Sequence, residues 1–513
     1  MSAKVTHYLA AAVSGLLITL SFPNWNWDIL VWIGLAPLFW AIQEERPWRA
    51  FFIGAVFGVA HYLTLLYWIY HVIQFYGGLP WFLSIAVLLL LTCYLALYPA
   101  AFCTVTSYLT RSLNLPLMAV APFVWVSLEL LRAHLFTGFP WGLLGQALYE
   151  RLAFIQIADL AGVYGISLII VAANAALYSI FLGSGTFRKR FISLPTAVAF
   201  CLVAVTFAYG QFRLDRNEHP EAKKIRVALV QGNIDQSLKW EPSNQQATID
   251  TYETLSRKAV HDGAQLIVWP ETALPFYYGL DQKLTRQVRA FLQQSGVYFV
   301  LGSPAVIQKG EQLELRNRAY LISPQGATIG FYDKTHLVPY GEYVPLRSWF
   351  PFIKKLVVAA GNFSSGEPGK TLHYPGGELG PLICFESIFP YLSRAQTNNG
   401  AELLVNMTND AWFGRSSAPY QHMSMLVFRC VENRRYGIRA ANTGISAIIS
   451  DKGRILAQSP IFKPYLIEGE AELLDGKTFY MRFGDVFAYI CALFSAAFIA
   501  WAWLTNRRYP RSI

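Results

Sequence analysis

Apolar residues crowd two stretches of the chain, and between them they mix with polar ones. Residues 7–209 and 485–504 are largely apolar, whereas 210–484 read like an ordinary globular protein. A helix needs about 20 apolar residues to cross roughly 30 Å of hydrocarbon. Eight segments are candidates: 7–21, 28–44, 51–76, 82–110, 116–135, 160–184, 193–209 and 485–504, the first two being short. The first also has the outline of a signal peptide. Its bulky run LLITLSFPN offers no small-x-small cleavage site, so it is expected to be retained. If all eight span, Lys4, Arg46, Arg49, Arg111, Arg188–Lys189–Arg190, Arg507, Arg508 and Arg511 fall on one side. The positive-inside rule makes that side cytoplasmic. The organisation expected is a membrane domain of seven helices (1–209), an extracytoplasmic domain (210–484), and an eighth helix with a basic cytoplasmic tail (485–513). In a bacterium this is an inner-membrane protein with its large domain in the periplasm.

Between the spans the period changes. IRVALVQGNI (225–234), AQLIVW (264–269), 298–302, 317–323, 327–332, LGPLICF (379–385) and AELLVNM (401–407) read as strands. Residues 243–262, 281–296 and about 420–436 read as helices, with Ser243 as N-cap of the first. Pro324–Gln325–Gly326 and Asp451–Lys452–Gly453 mark hairpin turns. Strands alternating with helices predict an α/β domain. Residues 345–363 form an apolar, aromatic insert with no strand period, readable as a buried loop or as an arm lying on the bilayer or a lipid tail.

Composition sharpens this. Only 14% of the 513 residues are charged, against about 25% in a typical soluble protein. The net charge of +10 does not point to nucleic acid, because the basic residues flank apolar segments instead of forming a stripe with aromatics. The six cysteines include no CxxC or CxxxH spacing, so no metal site or redox pair is expected. Within the fifth span Glu129 and Arg132 stand three residues apart, a spacing that lets them meet on one helix face as an interfacial pair or a functional one.

Three residues follow predicted strands: Glu271 after LIVWP, Lys334 after IGFYD, and Cys384 within PLICFES. Loops at strand carboxyl ends converge on one crevice in α/β folds. A thiol becomes a strong nucleophile as thiolate. Glu271 is suited to take its proton, and Lys334 to stabilise thiolate and oxyanion. A helix starting after Cys384 would add partial positive charge. Taken singly, each of these residue types is more often structural.

The surrounding strings narrow the choice. WPETALP (269–275), YDKTHLVPYGEYVP (332–345), ICFES (383–387), QGNIDQSLKW (231–240), TNDAWFG (408–414) and GFPWGLLG (138–145) resemble the apolipoprotein N-acyltransferase family, the membrane branch of the nitrilase superfamily. The resemblance runs over nearly the whole chain. It implies a polytopic α-helical membrane domain of about eight transmembrane helices plus a nitrilase-like αββα sandwich. Glu271 would be the base, Lys334 the oxyanion stabiliser and Cys384 the nucleophile. Glu342 would position the lysine, and Glu386 matches a further important acid; a structural salt bridge is the alternative for each. Trp240 and Trp412 match aromatic positions near the site, with core packing as the alternative. Phe385 departs from the family, where tyrosine is expected beside the nucleophile. His336 and His422 read as hydrogen-bonding scaffold.

The function implied is acyl transfer through a Cys384 thioester. A phospholipid, phosphatidylethanolamine for example, would give its sn-1 chain, and the N-terminal amine of diacylglyceryl-cysteine on an apolipoprotein would receive it. No cofactor is required. Two rivals remain at this level: an anchored amidase that uses water as acceptor, and a transporter whose outer domain binds a ligand. The second would carry broken helices in paired halves, which the sequence lacks.

Overall fold

The structure, a computed structural model, describes residues 3–182, 188, 191, 193–216, 221–343 and 362–508. The aromatic insert expected at 345–363 lies outside the described residues, except for Asn362 and Phe363. The chain divides into two compact units, one of Met1–Tyr70, Trp81–Arg216 and Phe483–Ile513, the other of His71–Pro80 and Asn217–Arg482.

Among the described residues of the first unit, six helices are long and apolar enough to cross a membrane: Pro47–Leu65, Trp81–Leu113, Leu117–His134, Ala158–Leu182, Leu194–Asp215 and Val486–Arg507. Val5–Leu20 and Asp28–Ile42 are shorter apolar segments, in line with the shortness of the first two expected spans. Small residues bring helices together where lipid supplies no hydrophobic drive. A Cβ on Gly54 would come 2.4 Å from the Pro99 carbonyl oxygen, and one on Gly58 2.7 Å from Ala96 Cα. The Gly54-x3-Gly58 face therefore seats Pro47–Leu65 directly on the backbone of Trp81–Leu113.

One sequence expectation needs correction here, and another gains detail. The third span was expected to run to residue 76, but its helix ends at Leu65, and residues 71–80 belong to the second unit. The apolar run continues past the helix because its aromatics pack elsewhere: Tyr76 donates to the Ala411 carbonyl at 3.2 Å and meets the Trp412 ring edge-on at 4.9 Å. Glu129 and Arg132, both buried, turn to the GFPWGLLG loop. Glu129 Oε1 accepts from Leu144 N at 2.7 Å, and Arg132 donates to the carbonyls of Phe139, Trp141 and Gly142 at 2.6–3.2 Å. A tight loop buried among helices leaves backbone groups to satisfy, and these two side chains satisfy them.

The described residues of the second unit form twelve strands: β1 Lys223–Gln231, β2 Leu266–Val268, β3 Tyr298–Lys309, β4 Gln312–Ile322, β5 Thr328–Asp333, β6 Leu372–Tyr374, β7 Gly377–Ile383, β8 Leu403–Thr408, β9 Tyr436–Ala441, β10 Ala447–Ile449, β11 Ile455–Gln458 and β12 Tyr465–Leu473. One sheet has the order β12-β1-β2-β3-β4-β5, the other β11-β10-β9-β8-β7-β6. Strand alternation explains the layers. Ile225, Val227 and Leu229 of β1 enter a core shared with Leu379 and Ile383 of β7, Leu403, Val405 and Met407 of β8, and Ile438 of β9. Ala228 and Val230 face the other way, into a second core with Ile249, Tyr252, Val288 and Phe291 from the helices Pro242–His261 and Gln282–Ser295. Helices Pro390–Asn398 and Ala418–Asn433 pack on the second sheet, completing an αββα sandwich. β1, β2 and β3 run parallel, as do β7, β8 and β9, so their carboxyl ends gather at one end of each sheet.

The helix expected at 281–296 forms with Asp281 capping Lys283 N and Leu284 N and Gly296 closing it at φ +66. The helix expected at 243–262 begins at Pro242 with Glu241 in the cap position, so Ser243 is not the cap. Proline's fixed φ suits the first helical position and moves the start one residue earlier.

Candidate active site

β2, β5 and β7 each end just before a residue singled out by sequence, and each strand's end delivers that residue to the same place. Glu271 follows β2 by a short turn, Lys334 directly follows β5, and Cys384 directly follows β7. The Lys334 ammonium, 1% exposed, lies 3.3 Å from Glu271 Oε1 and 3.0 Å from Glu342 Oε1. Asn317 Nδ2, reaching in from β4, donates to the same two oxygens at 2.7 and 3.0 Å. The second oxygen of Glu271 accepts from Asn409 N at 3.0 Å, and that of Glu342 from Val338 N at 2.9 Å. Both carboxylates are thus oriented by two kinds of donor. Burial opposes the charge on Lys334, but the carboxylates of Glu342 and then Glu271 outweigh it and hold its pKa above the usual range.

Cys384 sits at φ +54, in the left-handed region that non-glycine residues avoid. Its sulfur is buried, which pushes the thiol pKa up; the Glu271 charge pushes the same way, while Lys334 and the Thr408 hydroxyl pull it down. Burial and the Glu271 charge thus favour the neutral thiol, against Lys334 and Thr408. The turn is held from behind. The Cys384 carbonyl accepts from Ser387 Oγ at 3.1 Å and lies 3.1 Å from His422 Nε2. His422 Nδ1 lies 3.0 Å from Asp410 Oδ1, and Arg439 reaches Asp410 Oδ2 at 2.7 Å. All of these side chains are buried. Burial works against the Asp410 charge, yet Arg439 and then His422 hold its pKa below the normal carboxylate range. His422 is thus part of a scaffold, as its sequence context suggested. The helix expected directly after Cys384 is instead a single 3-10 turn, Cys384–Ile388, and the α-helix begins at Pro390. The proline displaces the helix start.

Glu386 is fully buried without an ion-pair partner among the described residues. Its Oε1 accepts from Tyr332 OH at 2.9 Å, Thr335 N at 2.6 Å and His336 N at 3.0 Å, and its Oε2 from Ile383 N at 2.7 Å. One side chain therefore ties the residues after Lys334 to the strand end before Cys384. Burial raises its pKa to about 7 against these bonds.

The aromatic positions separate. Trp240 is 47% exposed, so core packing does not explain it. Trp412 packs on Tyr76. Phe385 meets Phe389 edge-on at 5.1 Å, and Phe389 in turn stacks on His336 at 3.8 Å. No hydroxyl at residue 385 is needed to complete these contacts. Sequence reasoning missed Asn317, Asn409 and Lys239. Asn317 lies 46 residues from Glu271 with no local signature, whereas Asn409, 138 residues away, lay inside the quoted string TNDAWFG without its link to Glu271 being legible there. Lys239 lay inside a quoted string but beside a more conspicuous tryptophan. Among the described residues no group of His, Cys, Asp and Glu is gathered that could hold a metal ion.

Residues 226–473 match the carbon–nitrogen hydrolase family, and residues 14–176 match the apolipoprotein N-acyltransferase N-terminal domain. Among solved structures, an amidase of the nitrilase superfamily from Nesterenkonia AN1 is 23% identical, with 52% of this chain and 96% of that chain covered and a TM-score of 0.38. Curated relatives named apolipoprotein N-acyltransferase match along nearly their whole length. That of Geobacter metallireducens is 47% identical, with 96% of this chain and 95% of the relative covered. Those of Methylococcus capsulatus and Pasteurella multocida are 34% and 30% identical, covering 93% and 99% of this chain and 92% and 98% of their own. With near-complete coverage of both partners and a matched domain on each side of the chain, this protein belongs to the apolipoprotein N-acyltransferase family.

Proposed function

We propose that the protein is an N-acyltransferase of lipoprotein maturation that carries the acyl group as a thioester on Cys384. The observation that carries this reading is the buried Lys334 ammonium bound to both Glu271 and Glu342, with the charges of Lys334 and Glu271 both acting on the Cys384 thiol. In the first half-reaction the Cys384 sulfur attacks the sn-1 ester carbonyl of a phospholipid such as phosphatidylethanolamine, and Glu271 takes the thiol proton. Lys334 stabilises the oxyanion. Collapse breaks the ester C–O bond, and the proton on Glu271 passes to the leaving oxygen to give a lysophospholipid. In the second, the neutral α-amine of a diacylglyceryl-cysteine attacks the thioester. A C–N bond forms, the C–S bond breaks, and Glu271 moves the amine proton to the departing thiolate.

A neutral resting thiol fits this order. Proton removal coupled to attack avoids forming a free thiolate in a buried pocket. Glu342 and Glu386 serve as positioning residues, the first on Lys334 and the second on the segment that follows it. Trp240 and Trp412 are assigned to substrate contact. Basic residues on one side of the spans support a cytoplasmic tail and a catalytic domain on the periplasmic face of the inner membrane.

The test uses phosphatidylethanolamine labelled in the sn-1 chain and a diacylated lipopeptide acceptor. Label is expected on the peptide amine, with an equal amount of lysophospholipid released. Label recovered only as free fatty acid would overturn the reading in favour of hydrolysis.

A further inference from the structure

Lys239 precedes the helix Pro242–His261 and is fully buried, at 0% exposure. Buried ammonium groups normally close on a carboxylate. This one donates instead to Thr272 Oγ1 at 2.9 Å and to the Glu271 carbonyl oxygen at 3.5 Å. None of the acid–base steps above uses it.

Its partner is unusual. Thr272, the residue after Glu271, sits at φ +46, where a β-branched residue is strained. Strained backbone persists only when its surroundings over-determine it. Two features do so here. Gly302 of β3 lets the turn approach closely, since a Cβ there would lie 2.5 Å from Pro270 O and Thr272 N and 2.9 Å from Glu271 Cα. Lys239 then anchors the side chain and the carbonyl of the same turn. Burial lowers the Lys239 pKa to about 8 while the Glu271 charge draws it up, so the ammonium also feels the carboxylate it supports.

We propose that Lys239 is a positioning residue for the general base: acting through Thr272, it locks the turn that aims the Glu271 carboxylate at Lys334 and Asn317. This inference rests on the reading of Glu271 as the base. Aim matters because small misplacements of a catalytic group slow chemistry by up to about 100-fold.

The experiment measures the rate of Cys384 acylation by phospholipid, using the full-length protein in nanodiscs. Lys239→Met is expected to slow acylation by roughly 30- to 100-fold at saturating lipid, with KM for lipid unchanged within about twofold. Lys239→Arg, which keeps the donor, is expected to recover most of the rate. Glycine adopts positive φ freely. In a Thr272→Gly background, Lys239→Met is therefore expected to lose less than about fivefold, a non-additivity that loss of general packing does not produce. A wild-type rate for Lys239→Met, a loss confined to KM, or equal losses in both backgrounds would overturn the proposal. If Lys239→Met fails to fold, Lys239→Arg and the double variant still decide: no rate recovered in either overturns it. Glu271→Gln is the control. Acylation surviving in that variant refutes the base itself, whereas loss there with none in Lys239→Met refutes only the role of Lys239.

Discussion

Replacing Glu386 removes the acceptor of four donors at once: the buried Tyr332 OH and Ile383 N–H, and the half-buried N–H groups of Thr335 and His336. Alanine leaves the three N–H groups without a partner. An orphaned buried donor costs about 1–3 kcal/mol and a half-buried one less, so the sum is at most about 3–9 kcal/mol, a large share of a typical total of about 5–15. The carboxylate itself is not free of penalty, since burial raises its pKa to about 7. Removing it returns part of that desolvation penalty, which places the expected loss at the lower end, about 3–5 kcal/mol. Glutamine can keep an oxygen toward Tyr332, Thr335 and His336 and set its amide against Ile383 N, leaving one donor facing a donor at about 1–3 kcal/mol. Thermal unfolding in nanodiscs is then expected to fall by roughly 6–20 °C for Glu386→Ala and by roughly 2–12 °C for Glu386→Gln. Because Thr335 follows Lys334 directly, the alanine variant is also expected to acylate on the order of 10- to 100-fold more slowly at temperatures where it stays folded. If Glu386→Ala unfolds within about a degree of the wild type and acylates at its rate, the clasp is not what holds Lys334 to the nucleophile turn.

Glu342→Gln removes the larger of the two carboxylate influences on Lys334, so its raised pKa relaxes downward and the alkaline limb of the acylation pH–rate profile is expected to move to lower pH, with about 10- to 100-fold loss of rate. Gly302→Ala forces the Glu271 turn to shift, because the new Cβ meets backbone only; about 1–3 kcal/mol lower stability by thermal unfolding and a tenfold or greater loss of acylation are expected, of the order that overpacking and misplacement produce. His336 has its pKa lowered to about 4 by burial and by Lys334, against an unfolded value near 6.5. The unfolded chain then binds more protons between those values, so this group contributes stability above about pH 6.5 that is lost as pH falls through about 4. His336→Phe is expected to flatten the unfolding temperature across that window.

What the sequence disclosed was local. Alternation in β1 and the apolar runs of β7 and β8 placed the strands, and the residues after β2, β5 and β7 were legible as a cluster because strand ends converge. Family strings supplied the proposed roles and pointed to Glu342. What stayed hidden depended on distance along the chain. Nothing near Asn409 announces that its N–H meets Glu271, and nothing near Glu386 shows that its oxygens are divided between residues 383 and 335–336. The end of the third span was misplaced for a related reason. Hydropathy cannot distinguish an aromatic run bound for lipid from one that packs on Trp412. The spacing of Glu129 and Arg132 was read correctly, but their partners were set by a loop's unsatisfied backbone.

The most direct test is the intact mass of the purified protein after incubation with phospholipid and no acceptor. A single acyl adduct mapped to Cys384, absent from Cys384→Ala and discharged when a diacylated peptide is added, is the predicted result. An acyl adduct on Cys384→Ala, or transfer to the peptide at full rate by that variant, would contradict the account.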